Sequence, residues 1–178
     1  MMRFISNRLR HFSDSEEGSM VVPFALWIPL FIGIIVSGIE LGSVTIRNTA
    51  MERALDQTVR DVRLGTGTVF THDSIKQEIC DGAAVLPNCM SLLKLEMVRL
   101  DIRDWSDPER GADCVDTSLP VNPLREFENG GGNELMLLRA CYKYKPISPA
   151  TGLGSALAKD AQGYSAIIST AAFVQEPL

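Results

Sequence analysis

Hydrophobic and polar positions are spread very unevenly along the chain. From Met20 to Ile39 the sequence MVVPFALWIPLFIGIIVSGI runs for 20 residues without a charged side chain. At a rise of about 1.5 Å per residue, such a helix covers the roughly 30 Å hydrocarbon core of a bilayer, so the stretch predicts a membrane-spanning helix. Pro23 and Pro29 lie inside it. Pro29 offers no N–H to the carbonyl of Ala25, which predicts a bend there, relieved by Ser or Thr side chains or by a neighbouring helix.

The helical period continues past the apolar run. Val44, Met51, Leu55, Val59 and Val62 recur at spacings of three, four or seven, while Arg47, Glu52, Arg53, Asp56 and Arg60 occupy other faces. The membrane helix is therefore expected to run on as an amphipathic one. Gly65 and Gly67 are placed to end it, with Arg60 and Arg63 in a last turn that favours positive charge. From Met20 to Leu64 this makes one helix of about 65 Å.

Beyond it the pattern shortens. A helix is expected from Asp73 to Ile79, capped by Asp73 or Thr71. Leu95 to Trp105 alternates Val98, Leu100 and Ile102 against Arg99, Asp101 and Arg103, the period of a half-buried strand. Ser106 to Asn133 is rich in Pro, Gly, Asp and Asn and reads as an irregular loop, its Gly130, Gly131 and Gly132 giving flexibility. Glu134 to Lys145 and Tyr164 to Val174 read as a second and a third strand. Pro146 to Gly163 connects them, with a helical turn at Ser155 to Lys159. The expected fold class is α+β, a long helix covering a small antiparallel sheet of about three strands.

Charge sets the orientation. Arg3, Arg8 and Arg10 precede the span, and positive residues beside a membrane helix tend to remain cytoplasmic. The organisation that follows is a cytoplasmic segment 1–19, a transmembrane helix 20–40, an extracytoplasmic amphipathic helix 41–65 and a head domain 66–178. A secretory signal cut at Val36-Ser37-Gly38 is the rival, but its apolar core would exceed the usual range of about 7 to 15 residues.

Outside the membrane, Cys80, Cys89, Cys114 and Cys141 meet an oxidising compartment. Cys80 and Cys89 bracket DGAAVLPN, in which Gly82 and Pro87 allow the ends to meet, leaving Cys114 for Cys141. Each bridge contributes about 2–4 kcal/mol by loop closure. No two cysteines stand two to four apart and the only histidines are His11 and His72, so zinc-ligand spacing is missing and no metal is expected.

Other chemistries are thin. A net charge of -5 with scattered basic residues argues against nucleic acid as a partner. His72 is the only histidine of the head, and no Gly-x-Ser-x-Gly elbow occurs. Asp101 with Asp104, or Glu126 with Glu128, reads as solvated acid and not as a catalytic pair. Gly130 to Gly132 lack the strand, helix and Lys-Ser/Thr of a phosphate loop. Neither a cofactor nor an enzymatic role is expected.

Several short segments, taken in order, carry a family resemblance. Glu17-Gly18-Ser19 precedes the apolar run, which holds Phe24-Ala25-Leu26, Pro29-Leu30 and Gly38-Ile39-Glu40-Leu41-Gly42. Near the other end stand Ala140-Cys141-Tyr142-Lys143-Tyr144-Lys145-Pro146, then Pro149, and a close at Gln175-Glu176-Pro177. Together they resemble TadE-like proteins, pseudopilins of the tight-adherence (Flp) pilus machinery. The resemblance implies a type IV pilin-like architecture in the bacterial inner membrane, with the head in the periplasm and a role in cell adhesion. It also implies partners: membrane lipid, and pilin-like subunits packed along the helix through Phe24, Pro29, Gly33, Gly38 and Glu40. A prepilin peptidase would cut after Gly18 and make Ser19 the new N-terminus. The family's glutamate five residues beyond the cut is replaced here by Pro23.

Glu40 has two readings. It is an interfacial carboxylate at the outer headgroups, or a deeper one that needs a cation from another subunit. Arg47, seven residues on, is too far along the helix for a direct pair. A membrane-anchored binding module, recognising a ligand through the loop 106–133, is the alternative to an assembly subunit.

Overall fold

The computed structural model describes residues 20–64, 70–105, 114 and 127–177. Gly18, Ser19 and the remainder of segment 1–19 lie outside these residues, as do Gly65 and Gly67.

One helix, α1, spans Val21–Leu64 and runs through Pro29 without interruption. Its two halves differ in what covers them. From Val21 to Ile32 every residue is exposed, whereas Met51, Ala54, Leu55, Thr58 and Val62 are buried in the head. The last carbonyls of α1 would be orphaned, and the C-terminal residues of the chain meet them. Gln175 Nε2 donates to Val62 O at 3.0 Å, and Glu176 N donates to Arg63 O at 3.3 Å.

Helix α2 covers His72–Gly82. Thr71 is its cap, not Asp73, and Thr71 and Ser74 satisfy each other's backbone N–H groups. Ile75 and Ile79, four apart, are both fully buried. A Cβ on Gly82 would lie 3.1 Å from that of Ala54, so a small residue sets how closely α2 approaches α1. A short α3, Cys89–Leu92, follows the bracketed loop and leads into the sheet.

The sheet has three strands, β1 Leu93–Leu100, β2 Leu135–Tyr144 and β3 Ser165–Val174, in the order β1-β2-β3 with both neighbours antiparallel. β1 begins before the expected Leu95 and stops short of Trp105. Its buried side chains are Leu93, Leu95 and Met97, the opposite parity from the Val98, Leu100 and Ile102 expected. Both parities carry apolar residues here, so period two alone cannot choose the inner face. Pairing does: Leu93 stands opposite Tyr142, Leu95 opposite Ala140 and Met97 opposite Leu138, all on the face that meets α1.

That face makes one core with Met51, Leu55, Ile75, Ile79, Met136, Tyr142, Ile167 and Phe173. Each large apolar side chain placed there stabilises the fold by about 1.5–3 kcal/mol. The buried Tyr142 hydroxyl donates to Pro87 O at 2.7 Å, which ties the central strand to the bracketed loop. Most of the expected loop 106–133 lies outside the described residues. Where it is described, Phe127 bridges to Met97 and a Cβ on Gly130 would meet Met136 Sδ at 2.7 Å. Close packing, not flexibility, explains that glycine. The helical turn between β2 and β3 is α4, Gly152–Ala156, earlier than the expected Ser155 to Lys159.

Candidate functional site

The apolar half of α1 is the largest feature that the fold leaves uncovered. Met20 is 81% exposed, and Phe24, Leu26, Trp27, Leu30, Phe31 and Ile34 are similarly open. It is the one helix among the described residues long and apolar enough to cross a membrane. A contiguous apolar surface of this size is of the kind that marks contact with lipid or with another protein. Of the residues singled out for helix packing, Phe24 and Pro29 are exposed and Gly33 is half-buried. Gly38, and Gly42 one turn on, have nothing within 4 Å of where a Cβ would stand.

Glu40 does not share that exposure. It is 0% exposed, and its Oε2 accepts the backbone N–H of Ser148 at 3.0 Å. Within this chain the head covers Glu40, and no cation is paired with it among the described residues. The connection between β2 and β3 folds back over the helix and presents its own backbone donor.

Two glycines allow this approach. Gly154 is buried, and a Cβ there would run into the carbonyl of Ser148 and stand 3.3 Å from Glu40 Oε2. Gly152 has φ +58°, and its Cβ would stand 2.5 Å from Ser37 Oγ, so both the conformation and the contact exclude a side chain. Ser37 Oγ donates to Gly33 O at 2.7 Å and accepts Leu153 N–H at 3.2 Å. Ser37 and Glu40, one turn apart, are thus the two acceptors that hold the connection to α1.

Arg47 lies further along the same helix, its guanidinium 5.2 Å from the centre of the Tyr144 ring. Its Nη1 and Glu40 Oε1 are buried side-chain atoms without a hydrogen-bond partner, and the two residues do not pair directly. Burial pushes the Tyr144 hydroxyl above the ordinary tyrosine value, and nearby Glu40 adds to this while Arg47 opposes it.

The far end of the connection is fixed by an ion pair. Lys143 Nζ meets Asp160 Oδ2 at 2.9 Å, with side-chain exposures of 6% and 14%. Burial pushes the Asp160 carboxyl up. The hydrogen bonds from Lys143 and from the N–H groups of Tyr164 and Gln162 outweigh it and hold the carboxyl below the usual range.

Both disulfides staple the head. Cys80 joins Cys89 with Cα atoms 5.6 Å apart, and Cys114 joins Cys141 at 5.7 Å, the pairing read from the sequence. Among the described residues the remaining polar candidates form no constellation, and Glu126 of the Glu126 and Glu128 pair lies outside those residues. His72 sits beside Asp73 at 3.1 Å and edge-on to Phe127. Asp101 accepts the N–H groups of Arg103 and Asp104, so the Asp101 and Asp104 pair belongs to a turn. An open cleft of about 500 Å³ lies between Arg99–Arg103 and Asn133–Leu135, crossed by the Arg99–Glu134 ion pair at 2.8 Å. No group of three or more His, Cys, Asp or Glu suited to a metal occurs among the described residues.

Compared with known proteins, the chain matches no family model, no curated protein and no solved structure.

The periodicity of the sequence pointed to the bare helix. It did not point to Ser37, Ser148, Gly152 or Gly154. The available signal was a small polar residue inside an apolar run, together with two glycines in a stretch without charge.

Proposed function

We propose that this chain is a non-enzymatic, single-pass protein of the bacterial inner membrane, with its N-terminus cytoplasmic and its head periplasmic. It serves as a pseudopilin or minor subunit in assembly of a tight-adherence, type IV-like pilus. The observation that carries the reading is the division of α1: its first half is apolar and uncovered, and its second half is built into the core of a small disulfide-stapled head. A pilin-like subunit works by this division, inserting one half among lipid or like helices and presenting the other outside.

Three further features support it. Ser37 and Gly33 are bonded to each other, and Ser37 is bonded to the head through Leu153, contacts that a signal-peptide cut at Val36 to Gly38 would sever. Gly38 and Gly42 stand one turn apart with open space above both, the spacing that lets a second helix approach closely in a membrane. The segments around Gly18 and from Ala140 to Pro146 resemble the TadE-like pattern.

The test is to express Gly38→Leu, Gly42→Leu and Phe31→Asp variants in the source cell and count surface fibres alongside membrane-bound protein. Loss of fibres with the protein still in the membrane is expected for both glycine variants. Fibres unchanged in those variants would remove the assembly role. The intact mass of the protein from membranes adds the processing state: a mass starting at Ser19 means a processed subunit, and one starting at Met1 or Met2 a permanent anchor.

A second reading, a membrane-anchored binding module, is favoured by the open cleft that the exposed Ile102 helps to line. It predicts that changes in the cleft abolish function and changes on the helix do not.

A further inference from the structure

We infer that the connection from Pro146 to Ala158 is a second membrane-contacting element, seated against the outer leaflet of the same bilayer that holds α1. The inference rests on the reading of α1 as a membrane anchor.

The geometry of the anchor leads to it. From Val21 to Glu40 the helix rises about 29 Å, close to one hydrocarbon thickness. The connection is bonded to Ser37 and Glu40 and lies against Gly33, so it flanks the last 10 Å or so of that rise. For it to stand clear of lipid, the span would have to end before Gly33. A span of about 20 residues ending there would begin near Ser13 and take in Asp14, Glu16 and Glu17. Each carboxylate drawn inward costs more with depth, toward about 3 kcal/mol at the centre. Leaving the acids outside therefore brings the connection down to the outer boundary.

Its composition suits that place. Between Lys145 and Lys159 no residue is charged, while Ile147, at 56% exposure, Pro149 and Ala150 face outward. Irregular backbone tolerates a poorly hydrated setting only when its polar groups are met internally, and here many of them are. Ser148 N–H goes to Glu40 and Leu153 N–H to Ser37. Ser148 Oγ donates to Thr151 O, Ser155 Oγ to Gly152 O, and Lys159 Nζ to Ser155 O and Leu157 O. The buried carboxylate of Glu40 has a role on this view: it satisfies a loop donor where water is scarce. At the rim, Lys145 lies 4.9 Å from the centre of the Tyr164 ring, an aromatic and cationic pair of the kind found at headgroup level.

The test places a photoreactive p-benzoylphenylalanine, one site at a time, in the full chain reconstituted in phosphatidylethanolamine and phosphatidylglycerol vesicles. The sites are Phe31 in the apolar run, Ile147 and Ala150 in the connection, and Ile168 on the exposed far side of the sheet. Lipid adducts are read by mass. We expect adducts at 147 and 150 on the same order as at 31, with background at 168. Background at 147 and 150 with adducts at 31 overturns the inference and leaves the anchor reading standing. Background at 31 overturns both. Crosslinks from 147 to a second copy in place of lipid, or equal labelling at 168, also overturn it.

Discussion

The backbone N–H of Ser148 donates to Glu40 Oε2 at 3.0 Å across 108 residues of chain, and the same carboxylate is wholly shielded from solvent. Removing the acceptor leaves a part-buried N–H without its partner, at about 1 kcal/mol. Glu40→Ala is expected to lower the thermal midpoint of the detergent-solubilised protein and to speed hydrogen exchange at Ser148 and Leu153. Glu40→Gln keeps an oxygen in place and should recover most of both. Equal exchange in the wild type and the alanine variant would show that the bond contributes nothing.

Gly154 and Gly163 separate two causes of glycine dependence. Gly163 has φ +80° with open space around it, whereas a Cβ on Gly154 runs into the Ser148 carbonyl. Gly163→Ala should cost about 1–2 kcal/mol from left-handed strain alone. Gly154→Ala should cost more and should also loosen the connection from α1. Urea unfolding gives the energies, and the accessibility of a trypsin site at Lys159 reports the loosening; a larger loss for Gly163 would contradict this order.

Two acids tilt stability with pH in opposite senses. Asp160 is held below the usual range, so its stabilisation is complete above the ordinary aspartate value and is lost as pH falls through the lower folded one. Asp160→Asn should flatten that acid limb. At neutral pH it should also destabilise, because it removes the negative charge opposite the buried Lys143 while leaving an amide oxygen to accept its hydrogen bond. Burial raises Glu78, and its hydrogen bond and repulsion with Asp61 add to this. The folded state therefore holds this proton longer than the unfolded one, and stability falls as pH rises from the ordinary glutamate value through the raised one. Glu78→Gln should remove that slope and stabilise the neutral protein by a fraction of a kcal/mol. Thermal midpoints between pH 3 and 7.5 for the three proteins check both signs.

The two disulfides close loops of unequal length, with sequence separations of 9 and 27. On the chain-entropy account they contribute about 2.6 and about 3.6 kcal/mol. Serine at both Cys114 and Cys141 should therefore cost roughly 1 kcal/mol more than serine at both Cys80 and Cys89. Denaturant midpoints of the two double variants decide it, and the reverse order would mean that packing around Cys89 outweighs loop closure.

Legibility differed between the parts of this chain for physical reasons. The apolar run, the amphipathic half of α1 around Met51, Leu55 and Val62, and the partner of each cysteine were readable because each depends on relations local to the sequence: a helical period, a run length, or a short loop whose ends can meet. The inner face of β1 was not, since Leu93, Leu95 and Met97 compete with Val98, Leu100 and Ile102 and only the register against β2 decides between them. The cap at Thr71 was one of two candidates that sequence alone left open.

The sequence by itself determined that one long helix carries an uncharged, bilayer-length half and a half with a buried stripe, followed by a few strands and two bridges. Tertiary structure alone decided the fate of Glu40. A carboxylate at the end of an apolar run asks for a hydrogen-bond donor, but nothing in its neighbourhood along the chain says which. The donor is a backbone N–H, which every residue but proline carries, and it belongs to a connection that has no periodicity. Folding brings Ser148 to that carboxylate because Gly152 and Gly154 let the backbone lie against Ser37 and Glu40, and Lys143 with Asp160 holds the far end in place.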